Sequence, residues 1–299
     1  MNMNPKAYTL PELSFYITDS CSLTCEGCVT YNELALKDGV LAVAGPAVER
    51  MDQWARLIDI DHIYVIGGEP LSHPELDTWL DYIQKTWPKA SRYTIVTNGE
   101  LLPSMTDRAM GWMEAGWDFE ISSHSPEAYA AIQLWWEDIA LQLEHKPLRN
   151  VKVEQDEETQ YFMDHTGKPL VQIGQRWLFY PRRYTTHDDH IKWGALTDSR
   201  STHAMCPGND CTHLVNGIMY RCPVQATIPR LTAQYRVEGT EGLAQQDLGF
   251  DPLLGGNLSA WIRDLKQPTK QCSLCDWSAK KVPLQDPYAK KIKIVRQPK

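Results

Sequence analysis

No run of this chain approaches the roughly 18 consecutive apolar residues of a membrane-spanning helix. Its opening segment, MNMNPKAYTLPELSFY, has no charged stretch followed by an apolar one. Both absences point to a cytoplasmic protein with no membrane partner. There the eight cysteines stay reduced and serve metal rather than disulfides. Basic charge is also short. A formal net charge of −8 over 299 residues removes the broad basic face that nucleic-acid binding requires. The basic tail KKIKIVRQPK at 290–299 reads as a solvated terminus. There is no internal repeat and no low-complexity tract. One further lack is local: the loop CSLTCEGC at 21–28 holds three cysteines and not the four that would close a metal site.

What is present is an alternation. LSFYITD (13–19), HIYVIGG (62–68), YTIVTNG (93–99) and FEISSHS (119–125) read as strands. Residues 46–59, 74–87, 105–116 and 126–144 have helical spacing, the first two opening near Pro46 and Pro74. Strands alternating with helices predict a parallel sheet with right-handed crossovers, whose function sits at the carboxyl ends of its strands. The cysteine loop, GGEP, TNG and SSHS all fall there. Beyond residue 145 the regularity fades. Residues 161–174 predict a hairpin turning at Thr166-Gly167, 176–181 a fifth strand, and 182–205 a polar loop. That loop's Arg182, Arg183, His187, His190, Lys192 and Arg200 either line the mouth of a substrate site or are simply solvated.

Thiolates favour zinc or iron–sulfur clusters. Cys21, Cys25 and Cys28 therefore either hold zinc with a distant fourth ligand or grip three corners of a cluster whose fourth iron stays open. In GGEP, Gly67 and Gly68 let backbone approach closely, and Glu69 offers a carboxylate to an ammonium. Taken alone, the same four residues make an ordinary strand-end turn.

CxxxCxxC after a first strand, with GGEP ending the second, resembles the radical SAM superfamily over roughly residues 13–130. The resemblance implies an α/β chain built as a partial (β/α)6 TIM-like barrel with a smaller Cys-rich C-terminal β-hairpin/α domain. It implies a 4Fe–4S cluster on Cys21, Cys25 and Cys28, with S-adenosylmethionine on its open iron. Gly67, Gly68, Glu69 and Pro70 would hold the amino group of that cofactor, while Asn98 and Ser122 would meet its carboxylate or ribose. The residue before the third cysteine is often aromatic in this family. Here it is Gly27, which leaves Tyr31 as the nearby ring for adenine. His124 reads as structural.

Farther on, Cys206, Cys222, Cys272 and Cys275 make two separated pairs, consistent with a zinc ribbon. Asn216-Gly217 marks a hairpin turn. The Cys-x10-Gly-x4-Cys spacing resembles the twitch and SPASM auxiliary-cluster domains, which implies a second 4Fe–4S cluster, fully ligated, with Cys211 left over. The expected boundaries are a barrel domain at 1–195, a cluster domain at 196–286 and a tail at 287–299. A closed cluster accepts electrons rather than substrate, so the expected reaction is a net oxidation, a dehydrogenation or a crosslink. The substrate would be a peptide or a small polar molecule, and the electron donor a flavodoxin or ferredoxin. The alternatives are a redox-neutral radical enzyme and a non-catalytic iron–sulfur or zinc protein on the same scaffold.

Overall fold

The computed structural model describes residues 8–25, 27–34, 43–143, 146–152, 158–163, 169–176, 178–180, 183–187, 190–208, 211–239 and 249–283. The basic tail and the turn residues Thr166 and Gly167 lie outside them.

Four strand–helix units open the chain: β1 (Tyr8–Tyr16), α1 (Gly45–Leu57), β2 (Ile58–Ile66), α2 (Leu76–Thr86), β3 (Arg92–Thr97), α3 (Thr106–Glu114), β4 (Trp117–Ser123) and α4 (Pro126–Leu143). The periodicity that builds them is visible in what they bury. On α2, Leu76, Trp79, Leu80 and Ile83 form one buried stripe. Helix α1 ends two residues before its expected limit, because Ile58 and Ile60 are buried strand positions.

Next come β5 (Lys146–Lys152), β6 (Glu158–Met163) and β7 (Pro169–Gln175), an antiparallel meander that brings β7 parallel alongside β4. A strand does form within 176–181, but outside this sheet. The fifth parallel position belongs to β7, while the short β8 (Leu178–Phe179) pairs with β15 (Val282–Pro283) in a separate sheet. The polar loop expected at 182–205 is structured. It forms an antiparallel hairpin of β9 (Tyr184–His187) and β10 (His190–Trp193), then α5 (Ser199–Ala204). Alternation hid the hairpin: Tyr184, Ile191 and Trp193 are buried between exposed polar neighbours.

The remaining elements are β11 (His213–Val215), β12 (Ile218–Tyr220), α6 (Pro223–Gln234), β13 (Arg236–Glu238), β14 (Gly249–Phe250) and α7 (Leu258–Arg263). The hairpin β11–β12 turns at Asn216-Gly217 with both residues at positive φ, as expected of that pair. Strand β11 pairs parallel with β1, so the ten-stranded sheet runs β14-β12-β11-β1-β2-β3-β4-β7-β6-β5 and crosses the boundary expected near residue 195. Among the described residues this order has two ends, and six of its strands, β11, β1, β2, β3, β4 and β7, run parallel, four of them within strand–helix units. No described helix is long and apolar enough to cross a membrane.

The two faces of the parallel strands differ. Leu13, Phe15, Ile63, Val65, Ile95 and Phe119 are buried in the main core cluster with residues of α1–α4. The opposite face carries Glu12, Ser14, His62, Tyr64, Asp118 and Glu120 at alternating positions.

Candidate active site and cysteine centres

The cysteine loop is held by backbone pairing that outlasts the strands. Gly68 N–H donates to Thr18 O at 2.7 Å, and Glu69 N–H donates to Ser20 O at 2.6 Å. Added Cβ atoms at Gly67 and Gly68 would lie 2.5 Å from Thr18 O and Ser20 O respectively. The two glycines thus admit the start of the cysteine loop against the end of β2. Within the loop, Cys25 O accepts from Cys28 N–H at 3.2 Å, and Cys28 O accepts from Tyr31 N–H at 3.0 Å. Gly27 has φ +80°, a conformation that an aromatic residue at this position would adopt only under strain. Cys21 and Cys28 both lie near Cys25: burial raises the Cys25 pKa, and the charges of Cys28 and Cys21 raise it further.

Glu69 is fully buried and committed to the protein. Its Oε1 accepts from Leu71 N–H at 2.9 Å and from the Thr97 hydroxyl at 2.6 Å, and its Oε2 accepts from Asn98 N–H at 2.7 Å. Desolvation outweighs these bonds and raises its pKa to about 7. These bonds pin the ends of β2 and β3 together. Pro70 opens a buried 3-10 turn behind it.

Asn98 Oδ1 accepts from Glu100 N–H at 3.0 Å, while its amide nitrogen faces Cys21 Sγ at 4.0 Å. Ser122 is partly exposed on the polar face. His124 bonds Arg176 O through Nδ1 at 3.1 Å, and burial lowers its pKa, which fits the structural role expected of it. Tyr31 departs from its expected place as an adenine platform. Its ring is buried against Tyr184 and Trp193, with centroids 5.7 Å and 5.5 Å away. Sequence proximity suggested the first use; the fold filled that ring face with protein.

The four later cysteines come together. Cys206 follows α5, Cys222 caps α6, and Cys272 and Cys275 sit in and after a 3-10 turn at Lys270–Leu274. All four line one cavity of about 50 Å³ with Arg221 and Trp277. Burial pushes the Cys222 thiol up to about 12, with Cys272 and Cys206 adding to the rise. Cys211 stands apart, its thiol pushed up to about 12 by burial and by Glu12. Among the described residues no three His, Cys, Asp or Glu side chains close on a position for a single metal ion.

One network ties the two cysteine regions to each other. Asp19 accepts from the Tyr16 hydroxyl at 2.5 Å and pairs with Arg230 of α6, whose guanidinium lies 5.2 Å from the Tyr16 ring centroid. Arg183, expected in a loop, pairs with Asp276 at 2.9 Å beside Cys275. Arg182 lies outside the described residues, while His187, Lys192 and Arg200 are exposed.

The polar face of the sheet was not singled out from the sequence. The available signal was charge at alternating positions inside apolar strands, as in WDFEISS (117–123). Low on this face Arg92 donates twice to Asp118, at 2.6 Å and 3.1 Å, and the Thr94 hydroxyl donates to the same carboxylate at 2.5 Å. His62 Nε2 bonds Thr94 Oγ1 at 2.7 Å, and burial beside Arg92 lowers its pKa to about 4, leaving the ring neutral.

No family model matches the chain, and no curated protein matches it. Among solved structures, the crystal structure of BtrN in complex with AdoMet and 2-DOIA is 25% identical over 39% of this chain and 46% of that one. Its TM-score is 0.33, a likeness too slight to bear on fold or activity.

Proposed function

We propose that the chain is a radical S-adenosylmethionine enzyme that abstracts hydrogen from a substrate C–H bond and completes a net oxidation. The observation that carries this reading is the docking of Cys21, Cys25 and Cys28 at the carboxyl edge of the parallel strands. There Gly67-Gly68-Glu69 clamps the loop through Thr18 and Ser20. When bound, a reduced 4Fe–4S cluster supplies the one electron that splits S-adenosylmethionine into methionine and a deoxyadenosyl radical, which takes a substrate hydrogen atom.

The chain's own part is to hold, orient and exclude. Cys21, Cys25 and Cys28 would hold the cluster, and the Asn98 amide faces the Cys21 sulfur. Glu69 fixes the edges of β2 and β3 around the loop. Cys206, Cys222, Cys272 and Cys275 would hold the auxiliary 4Fe–4S cluster that receives the substrate's second electron. A flavodoxin or ferredoxin would deliver the first.

Anaerobic reconstitution with iron, sulfide, dithionite and S-adenosylmethionine tests the proposal. Deoxyadenosine and methionine should form in equal amounts, and Cys28→Ala should reduce both at least hundredfold. No product above that variant would leave a non-catalytic metalloprotein. Iron content is expected at about eight per chain, falling to about four in Cys272→Ala. About four irons plus one zinc in the unmodified chain would replace the auxiliary cluster with a zinc site.

A further inference from the structure

The polar face of the sheet divides into two parts. Low on it, acids and bases satisfy one another: Arg92 with Asp118, His62 with Thr94, and Glu12 with Cys211. Higher up, nearer the cysteine loop, three polar side chains do not. Glu120 on β4 has no hydrogen-bond partner among the described residues, and neither does the Tyr64 hydroxyl on β2 or the Gln172 amide on β7. All three are partly exposed. Glu120 and Gln172 are direct cross-strand partners, so their side chains share a face. Tyr64 lies diagonally across β3; burial raises its pKa, and the charges of Glu120 and Glu12 raise it further.

The charges around Glu120 define what is missing. Arg92 and Arg176 both act on it, and Asp118 opposes them, yet Glu120 forms no ion pair among the described residues. Arg92 is already held by two hydrogen bonds to Asp118. An ionised carboxylate partly withdrawn from water and given no donor by the protein is a cost to the fold. Such a cost persists where a ligand supplies the partner. The Tyr64 hydroxyl and the Gln172 amide can each donate and accept, and they suit hydroxyl groups beside it.

We infer that Glu120, Tyr64 and Gln172 form the recognition wall for a small polar substrate that carries an amino group, with its ammonium against Glu120. The location of the wall beneath the cysteine loop makes this the substrate side of the proposed function, and the inference rests on that reading for the reaction. The binding claim stands apart from it. An apolar peptide side chain or an anionic molecule would leave the Glu120 carboxylate unmet or repel it.

Titration calorimetry on the reconstituted holoprotein with S-adenosylmethionine tests this with three matched probes: glucosamine, glucose and glucuronate. Glucosamine is expected to bind at least tenfold more tightly than glucose, with glucuronate weakest, and Glu120→Gln should erase the preference. Preference for glucuronate, or an unchanged glucosamine affinity in Glu120→Gln, overturns the proposal. If none of the three binds, the stability of the ligand-free protein decides. Glu120→Gln should raise Tm by about 1–3 °C, because it removes an unmet charge. A fall in Tm would make Glu120 part of the scaffold and overturn the assignment. Deoxyadenosine formation by the unmodified enzyme is scored separately. Its absence alongside amine binding would sink the reaction and leave the wall.

Discussion

Gly68→Ala is expected to strip the first cysteine centre of its iron and to lower S-adenosylmethionine cleavage at least hundredfold. The new Cβ would stand 2.5 Å from Ser20 O, a backbone atom that itself accepts from Glu69 N–H. No flexible side chain can move aside, so the ends of β1 and β2 must part. Cys21 is the next residue along, and a displacement of about 1 Å at a positioning element costs about a hundredfold in rate. Overpacking of this kind also costs about 1–3 kcal/mol of stability. Gly111→Ala on α3 is the control, since its Cβ meets nothing within 4 Å. That helix position should gain up to about 1 kcal/mol. Iron content, deoxyadenosine yield and Tm read all three effects. Unmodified iron content in Gly68→Ala would show that the close approach is dispensable.

Glu69→Ala is expected to destabilise the protein by roughly 3–5 kcal/mol, measured by denaturant unfolding. It leaves Leu71 N–H, Asn98 N–H and the Thr97 hydroxyl without their acceptor inside the protein. Glu69→Gln keeps an oxygen for Leu71 and Thr97 but turns an amide toward Asn98 N–H, for a smaller loss of about 1–2 kcal/mol. The two variants also separate in pH. Burial raises Glu69 from its ordinary 4.5 to about 7, so the folded chain holds that proton more tightly than the unfolded chain. The stability this provides is complete below about 4.5 and is lost as pH climbs to about 7. Glu69→Gln should abolish that slope. Equal stability of the three proteins at pH 8 would mean that the pin between β2 and β3 contributes nothing.

The strand–helix alternation was legible because it is local: short apolar runs and helical stripes set β1–β4 and α1–α4 within a few residues. The cysteine loop was legible for the same reason, since its spacing lies within eight residues. What escaped the sequence depends on distant partners. The pinning role of Glu69 was not legible because its three donors come from Leu71 and from the end of β3, and nothing in GGEP announces them. Tyr31 looked available because Tyr184 and Trp193 lie far along the chain. The hairpin at 184–193 was hidden by its own polar residues, which face water while Tyr184, Ile191 and Trp193 face inward. Glu120 was passed over inside a strand whose fold-defining signal is its apolar face. Reading the other face of that strand would have found it.

The pairing of β11 with β1 also bears on the order of events during synthesis. Ser14 and His213 are register partners, so the first strand to emerge finds its outer neighbour only after most of the chain has followed. Until then one edge of the growing sheet is open to strangers, a state in which strands recruit other chains. The segment that closes that edge is also the one that brings Cys206 and Cys222. Cys272 and Cys275 come later still, so the cavity that all four cysteines line is completed only after that edge has been covered.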